Sequence, residues 1–416
     1  MISSRTVILP FVLALAVALF VLPRRKLLGP FFLAAVFVPL AQGFDIAGLN
    51  ITIPRFLIFT VWIRLLLRRE LTFKGWNAMD TALLVWCGIG AVAYTLLWGT
   101  FDSFINRMGH IVNYAGTYFL VRQGVRNATD LARLTNYMRL AVVVLGVFII
   151  EEALSGRNLF TALGAYGTMV RDGVVRCRGP FGHSINTGLF GASMVPIFLG
   201  SIVARDRTIQ NLVALTMGVL IVILSGSSTP VGALAAGLAA WVVWPWRRNV
   251  RMVTWGAAAA AALVVTSIGS LWQLFSYASV YERSSAEHRY ELFNAFITRI
   301  DEWWLVGTRD NAQWGVGTDD VANNYVSIGI NGGLFALLAF LFLLWCGFKS
   351  LGTAMRLSGN NRARVFLWSL GASLLAHMVG FFGISYWDQI VIIFALLLGL
   401  ISSSSAILSR RGAELV

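Results

Sequence analysis

RCRGPFGHSINTGLFGASMVPIFLGSIVA, residues 176–204, joins two chemistries in one stretch. From Ile185 to Ala204 there is no charged side chain. A helix of about 20 such residues is what the roughly 30 Å hydrocarbon core of a bilayer demands. Just before it stand Arg176 and Arg178, a Gly179–Pro180–Phe181–Gly182 sequence that reads as a tight turn, and His183. The apolar run predicts a membrane helix. The arginines stand at its outward end, where topology gives no reason for them.

Apolar runs of this kind recur near residues 6–22, 27–43, 53–67, 79–98, 110–122, 136–154, 185–204, 209–225, 229–246, 252–271, 327–347, 365–383 and 388–408. They predict an all-α integral membrane protein, a polytopic bundle of about 12–13 transmembrane helices, with residues 1–416 forming one membrane domain. Composition agrees: 57% of residues are hydrophobic, 12% are charged and the mean hydropathy is +0.74, which excludes a soluble domain of this length. The first run has a weak basic leader and no small-residue cleavage site before Pro23–Arg24–Arg25–Lys26, so it reads as an uncleaved anchor.

Orientation follows from lysine and arginine. Arg24/Arg25/Lys26, Arg68/Arg69, Arg122/Arg126, Arg205/Arg207, Arg247/Arg248/Arg251, Lys349/Arg356/Arg362/Arg364 and Arg410/Arg411 fall on alternate loops, which marks that side as cytoplasmic. The net charge of +14 is largely this bias, and no nucleic-acid motif accompanies it.

Two outer loops break the charge rule, 155–184 and 272–326. The first holds Arg157, Arg171, Arg176 and Arg178; the second holds Arg283, Arg289, Arg299 and Arg309; a shorter outer loop adds Arg107 beside His110. Guanidinium suits phosphate because its donor fork bonds oxygens in pairs and stays charged. The plain alternative is contact with lipid headgroups or pairing with Glu282, Glu287, Glu291, Asp301 and Glu302. Arg178 stands out because a glycine turn and an outward helix N-terminus follow it, which together make a diphosphate cradle. His183 and Asn186 share a helical face there, and His183 has the alternative of bonding a backbone group at the helix start.

Ser284 and Glu287 have capping-box spacing, so a helix is expected from about Ser285. Arg289, Phe293, Phe296 and Ile300 follow its apolar stripe. This predicts an outer interfacial helix lying in the membrane plane, with Arg289 aimed at an anion or snorkelling to headgroups. Glu151 and Glu152 are expected at the interface, with reach into the site as the alternative, and Arg139 is expected to snorkel. His377 is expected to bond a neighbouring helix, and the hydroxyls of Ser225–Thr229 to cap the helix before Pro230. Of the three cysteines only Cys177 is external, so no intrachain disulfide is expected.

In order along the chain stand Arg178-Gly179…His183…Asn186, then His288-Arg289-Tyr290, Trp314-Gly315-Val316-Gly317, Asn323-Asn324-Tyr325 and Gly329…Gly332-Gly333-Leu334. Over roughly residues 140–350 this order resembles the O-antigen ligase / O-antigen polymerase superfamily of bacterial envelope glycosyltransferases. The resemblance implies a GT-C-like fold in the bacterial inner membrane, with an active site facing the periplasm. It also implies an undecaprenyl-diphosphate-linked glycan as donor and inversion at the anomeric carbon. Arg178 and Arg289 would hold the diphosphate, with Arg176 beside them; Asn186, Asn323, Asn324 and Tyr325 would bind other parts of the substrate.

The chain departs from the ligase pattern where a His-Asn pair is usual, since it has Asn323-Asn324. Asparagine is no general base, which favours a polymerase of O-antigen or exopolysaccharide repeats over a ligase acting on lipid A core or protein. Asp319, Asp320, Glu287, His288 and His183 are the substitute bases, with helix capping as the other reading of the Asp319–Asp320 pair. The diphosphate is itself a good leaving group, so no cofactor is required, and no metal-ligand spacing is present. Expected partners are the lipid-linked donor, a glycan or lipid acceptor, membrane lipids, and a chain-length regulator or flippase. A transporter or flippase of lipid-linked sugars is the reading from another class. It predicts charges deep in the spans, broken helices and an internal repeat.

Overall fold

The computed structural model describes residues 4–39, 43–46, 49–72, 74–171, 173–249, 283–315 and 317–409. The expected span at 252–271, the side chains of Arg283 and Ser284, and Arg251, Glu282, Val316, Arg410 and Arg411 lie outside the described residues.

The apolar runs become helices. They are α1 (Ser4–Val21), α2 (Leu28–Phe37), α3 (Ile53–Leu67), α4 (Ala78–Trp98), α5 (Phe101–Ile111), α6 (Thr117–Gly124), α7 (Ala128–Ser155), α8 (Ser184–Val203), α9 (Thr208–Leu224) and α10 (Ser228–Val242). After the second outer loop begins come α11 (Arg283–Thr298), α12 (Ile300–Trp303), α13 (Asn324–Leu357), α14 (Asn361–Gly380) and α15 (Gln389–Leu408). A π turn, Val112–Gly116, joins α5 to α6.

Five of these, α4, α8, α13, α14 and α15, are long and apolar enough to cross a membrane, which fits a multi-pass protein. The expected 12–13 spans exceed that number for local reasons. Helix α2 ends after 10 residues and α3 after 15. The apolar part of α7 carries Arg139, Glu151 and Glu152.

Two short antiparallel hairpins interrupt the helical pattern: β1 (Gly43–Ile46) with β2 (Leu49–Thr52), and β3 (Met169–Arg171) with β4 (Val174–Arg176). The second hairpin sits inside the first basic outer loop and delivers Arg176 to the turn that follows.

Helix α15 is the axis. Its residues from Gln389 to Ser405 are buried, against α13, α6, α8 and α14. Helix α8 is buried almost as fully between α9, α10 and α14. Ser373 Oγ donates to Ser193 O at 2.6 Å, fastening α14 to α8 without bulk.

The Arg24–Lys26 cluster adjoins the segment that carries Arg122 and Arg126. Arg24 donates to the carbonyls of Gln123 and Gly124 at 2.9 and 3.0 Å, Arg64 to Leu22 O at 2.9 Å, and Arg133 to Arg25 O at 2.7 Å. Asp80, fully buried, pairs with Arg122 at 3.1 Å and accepts from Tyr118 at 2.7 Å, which docks α4 on α6. Arg139 does not snorkel: it is buried and bonds Asn211 at 2.9 Å and Asn136 at 2.7 Å. His377 bonds Tyr386 at 2.7 Å, a residue of an outer loop and not of a neighbouring helix.

Candidate active site at one end of the helix bundle

The turn expected at Gly179–Gly182 is present, closed by Phe181 N donating to Arg178 O at 3.0 Å. Gly179 has φ +52°, and a Cβ there would press on Ile149 and Leu145 at 3.1 and 3.3 Å. Four helices hold this turn. Glu152 at the end of α7 accepts from Gly179 N at 2.8 Å and from Arg178 N at 3.3 Å. Thr187 on α8 donates to Arg178 O at 2.7 Å, and Gln389 on α15 donates to Pro180 O at 2.7 Å. Asp388, the N-cap of α15, accepts from Gly182 N at 2.7 Å and from Ile390 N at 3.1 Å. At the exit of β4, Cys177 N donates to Leu224 O at 3.0 Å, which ties the turn to α9.

The anchoring carboxylates correct one expectation and add a residue. Glu152 is buried inside the site; it does not rest at the interface. In the sequence Asp388 stands only as the first residue of an apolar run. A lone acid ahead of such a run was the available signal. Burial pushes its carboxyl up to about 6, against hydrogen bonds from the Ile390, Gly182 and His183 backbone and the pull of the Asn186 amide. Asn186 itself is fully buried and faces Asp388, although neither amide atom completes a well-formed hydrogen bond.

Arg178 projects half-buried from the turn, with Nη1 3.4 Å from Gly182 O and its guanidinium 5.8 Å from the Tyr166 ring. Its Nε is buried with no hydrogen-bond partner. Burial pulls the guanidinium below its ordinary pKa even though Glu152 and Tyr166 act the other way. A desolvated cation whose nearest acid is already engaged by backbone N–H groups is suited to an incoming anion.

Arg289 arrives from the other loop. Helix α11 starts at Arg283, two residues before the expected start. Part of its stripe packs on protein. Leu292 and Phe296 are buried with Trp303, Trp314, Val326 and Ile330, and Phe296 stacks on Trp303 at 3.9 Å. Ile300 breaks from the stripe and is 44% exposed. The helix is thus fixed to the head of α13, and Arg289 donates to Gly383 O at 3.4 Å. The short segment 381–388 is therefore common to both: Gly383 accepts from Arg289, and Asp388 holds the turn that carries Arg178.

The two histidines have opposite roles. His183 caps α8, its Nδ1 accepting from Ile185 N at 3.1 Å, so the neutral ring carries its proton on Nε2. Burial first, then Arg176 and Arg178, push its pKa down to about 4 while Asp320 opposes them. At neutral pH His183 is a hydrogen-bond donor and has no lone pair to spare. His288 Nε2 lies 3.0 Å from Asp320 O, a carbonyl that can only accept, so Nε2 donates and the lone pair of the neutral ring sits on Nδ1. That edge faces Gly317, where an added Cβ would lie 3.6 Å from Nδ1.

The remaining expected residues divide. Arg176 is buried at the end of β4 against the Gly226 turn. Asp319 and Glu287 are exposed, and Asp320 contributes its carbonyl to His288. Helix α13 is capped by Asn323, which accepts from Tyr325 N at 2.9 Å, and not by Asp319 or Asp320. Asn324 accepts from Tyr386 N at 3.0 Å, Tyr325 donates to Met378 O at 3.0 Å and the Asn323 carbonyl accepts from Ser385 Oγ at 3.3 Å, so all three motif residues brace the 378–386 segment. Ser227 occupies the cap position of α10 without a side-chain bond, and Ser225 turns back to Val222 O at 2.7 Å. Arg299 pairs with Glu302 at 3.1 Å and Arg309 donates to Leu97 O at 2.6 Å, away from the turn. Burial pushes the Cys177 thiol up to about 12, which removes it as a nucleophile. Comparison of the chain with models of known families and with curated proteins finds no match.

Proposed function

We propose that this protein is an inverting glycosyltransferase of the O-antigen polymerase/ligase type, with a GT-C-like fold. In this reading it acts at the outer face of the bacterial inner membrane on an undecaprenyl-diphosphate-linked glycan. Polymerisation of O-antigen or exopolysaccharide repeats is the leading assignment. The observation that carries the reading is that Asp388 holds the turn bearing Arg178 while Arg289, more than a hundred residues away in sequence, reaches Gly383 of the same 381–388 segment.

The chemistry follows from the side chains. Arg178 and Arg289 neutralise the diphosphate, and His183 Nε2–H adds a neutral donor to the same leaving group. His288 Nδ1 takes the proton of the acceptor hydroxyl as its oxygen attacks the anomeric carbon. The bond from that carbon to the phosphate oxygen breaks on the opposite side, the diphosphate leaves with the electron pair, and the configuration inverts. His288 thereby supplies the base that Asn323-Asn324 lacks. Its orientation by a backbone carbonyl is the support for choosing it over Asp319, Asp320 and Glu287. The gathering of polar groups at the helix ends favours surface chemistry over the passage that a flippase requires.

The test is the glycan profile of a deletion strain, on the surface acceptor and on the carrier. Single repeats with no long polymer identify a polymerase. Polymer that accumulates on the carrier and never reaches an acceptor identifies a ligase. An unchanged profile on both removes the reading.

A further inference from the structure

We propose that Arg139, Arg207 and Arg362 form a binding site for a phosphate group, at the end of α8 away from the Arg178 turn. A cavity of about 80 Å³ lies there between α7, α8 and α14, lined by these three arginines together with Thr135, Asn136 and Ser201. One water needs only about 10–15 Å³ of such space, so a phosphate group fits. Arg139 is 7% exposed, and its Nε donates to Asn211 Oδ1 at 2.9 Å. Arg207 comes from the loop between α8 and α9. Its Nη1 donates to Asn136 Oδ1 at 3.1 Å, the same oxygen that takes Arg139 Nη1 at 2.7 Å. The two guanidiniums are therefore neighbours, and the charge of Arg207 acts on Arg139.

The side-chain acceptors that these two arginines reach are neutral amides: Asn136, Asn211 and, at 3.5 Å, Gln210. Among the described residues neither has a salt bridge. Asp206 is the one acid in the cavity lining, and it acts on Arg139 from beyond ion-pair distance. Three guanidiniums against one carboxylate leave positive charge that an anion would compensate. Guanidinium forks match phosphate oxygens. The loop supports the same reading. Arg205 and Arg207 hold left-handed backbone, with φ +57° and +36°, a costly conformation for non-glycine residues that collects at ligand sites. Arg207 is also the residue that caps α9, and it makes no capping hydrogen bond. A cation is unfavourable at that positive helix end unless an anion joins it. The charge rule makes this face cytoplasmic. Basic pockets between membrane helices on that side suit anionic lipid headgroups. Leu140, next to Arg139, and Ile209, two residues after Arg207, are exposed and suit acyl chains. A lipid headgroup and inorganic phosphate share the chemistry that the arginines recognise.

The site is separate from Arg178 and Arg289, and its test needs no turnover. Purified full-length protein in detergent is titrated with phosphatidylglycerol, and bound lipids are counted by native mass spectrometry. Inorganic phosphate is titrated separately by calorimetry. Arg207 and Arg362 are exposed, so R207Q/R362Q should fold. It should bind the phosphate probe at least about tenfold more weakly, while Arg178→Gln keeps that event. Asp206→Asn removes the acid from the lining and should bind at least about twofold more tightly, a gain that no folding defect imitates. Loss for the lipid alone assigns the site to a headgroup, and loss for inorganic phosphate assigns it to the soluble ion. Wild-type binding of both probes by R207Q/R362Q, weaker binding by Asp206→Asn, or failure of the wild type to bind either probe overturns the proposal.

Discussion

Asp388 and His183 stand at the two ends of one turn and titrate with opposite consequences, which makes them separable by substitution. Burial holds Asp388 at about 6 against 3.8 for a free side chain, a gap worth about 3 kcal/mol at 1.36 kcal/mol per pH unit. The folded state binds that proton more tightly than the unfolded state, so acidification from pH 6 to 4 stabilises the fold through Asp388. His183 is held at about 4 against 6.5, a gap of up to about 3 kcal/mol after allowance for its partial exposure. Here the unfolded state binds the proton more tightly, so stability present above pH 6.5 is lost as pH falls toward 4. Between pH 6 and 4 the two contributions nearly cancel in the wild type.

Asp388→Asn keeps an N-cap acceptor for Ile390 but presents an amide donor to Gly182 N–H, a roughly constant cost of about 1–3 kcal/mol. It also removes the compensating titration, so the apparent melting temperature in detergent should fall relative to wild type as pH drops from 7 to 4. His183→Asn retains the cap and should do the opposite, gaining on wild type over the same range. Melting curves followed by intrinsic tryptophan fluorescence at half-unit pH steps read both differences. Differences that stay constant across the range refute the claim that these groups anchor the turn in the protonation states assigned.

Arg178→Ala and Arg289→Ala should each lower glycan transfer at least about 100-fold with membrane insertion intact, and Arg→Lys should recover little because the paired donor geometry is lost; polymer yield beside membrane-fraction abundance measures both. His288→Gln should lower kcat by about 10²-fold or more with little change in donor KM, whereas His183→Asn should cost nearer tenfold and act on the leaving-group side. A donor bearing a more acidic leaving group restores rate to His183→Asn and not to His288→Gln. Glu152→Gln halves the acceptor capacity facing Arg178 N and Gly179 N, and should destabilise by about 1–3 kcal/mol while raising donor KM.

Much of the fold was legible because hydropathy reports directly on what bilayer and core both require. The run 53–67 and helix α3 have the same ends, and 388–408 misses α15 by one residue. What hydropathy does not record is backbone conformation. The hairpin that ends in Arg176 was read as loop because its alternation of valine and arginine covers only three residues per strand. The site was legible in its arginines, which violate a topological rule, and illegible in its acids, which do not. Glu152 and Asp388 each sit at the end of an apolar segment, and Asp388 meets Gly182 across 206 positions of sequence. The motif residues Asn323, Asn324 and Tyr325 are visible as a pattern, but only the hydrogen bonds show them holding the 378–386 segment in place.

Helix α13 is broken at Gly333, whose φ of +73° leaves the helical region. The main-chain groups released there are taken up by the preceding loop: Thr308 N donates to Ile330 O at 2.9 Å and Leu334 N to Trp304 O at 2.7 Å. The chain from Thr308 to Ile330 is therefore a closed circuit, clasped at its neck by backbone alone. Inside the circuit lie Gly317, Asp319, Asp320 and Asn323, the stretch beside His288. Exposed residues within it that neither cap α13 nor pack on it, such as Asp319, can be exchanged without disturbing the clasp, since no side chain in the circuit forms the two bonds that close it. In the function proposed above, such a construction would separate the loop that fits a particular sugar from the helices beneath it, and would give the chain a way to acquire a new acceptor preference without refolding.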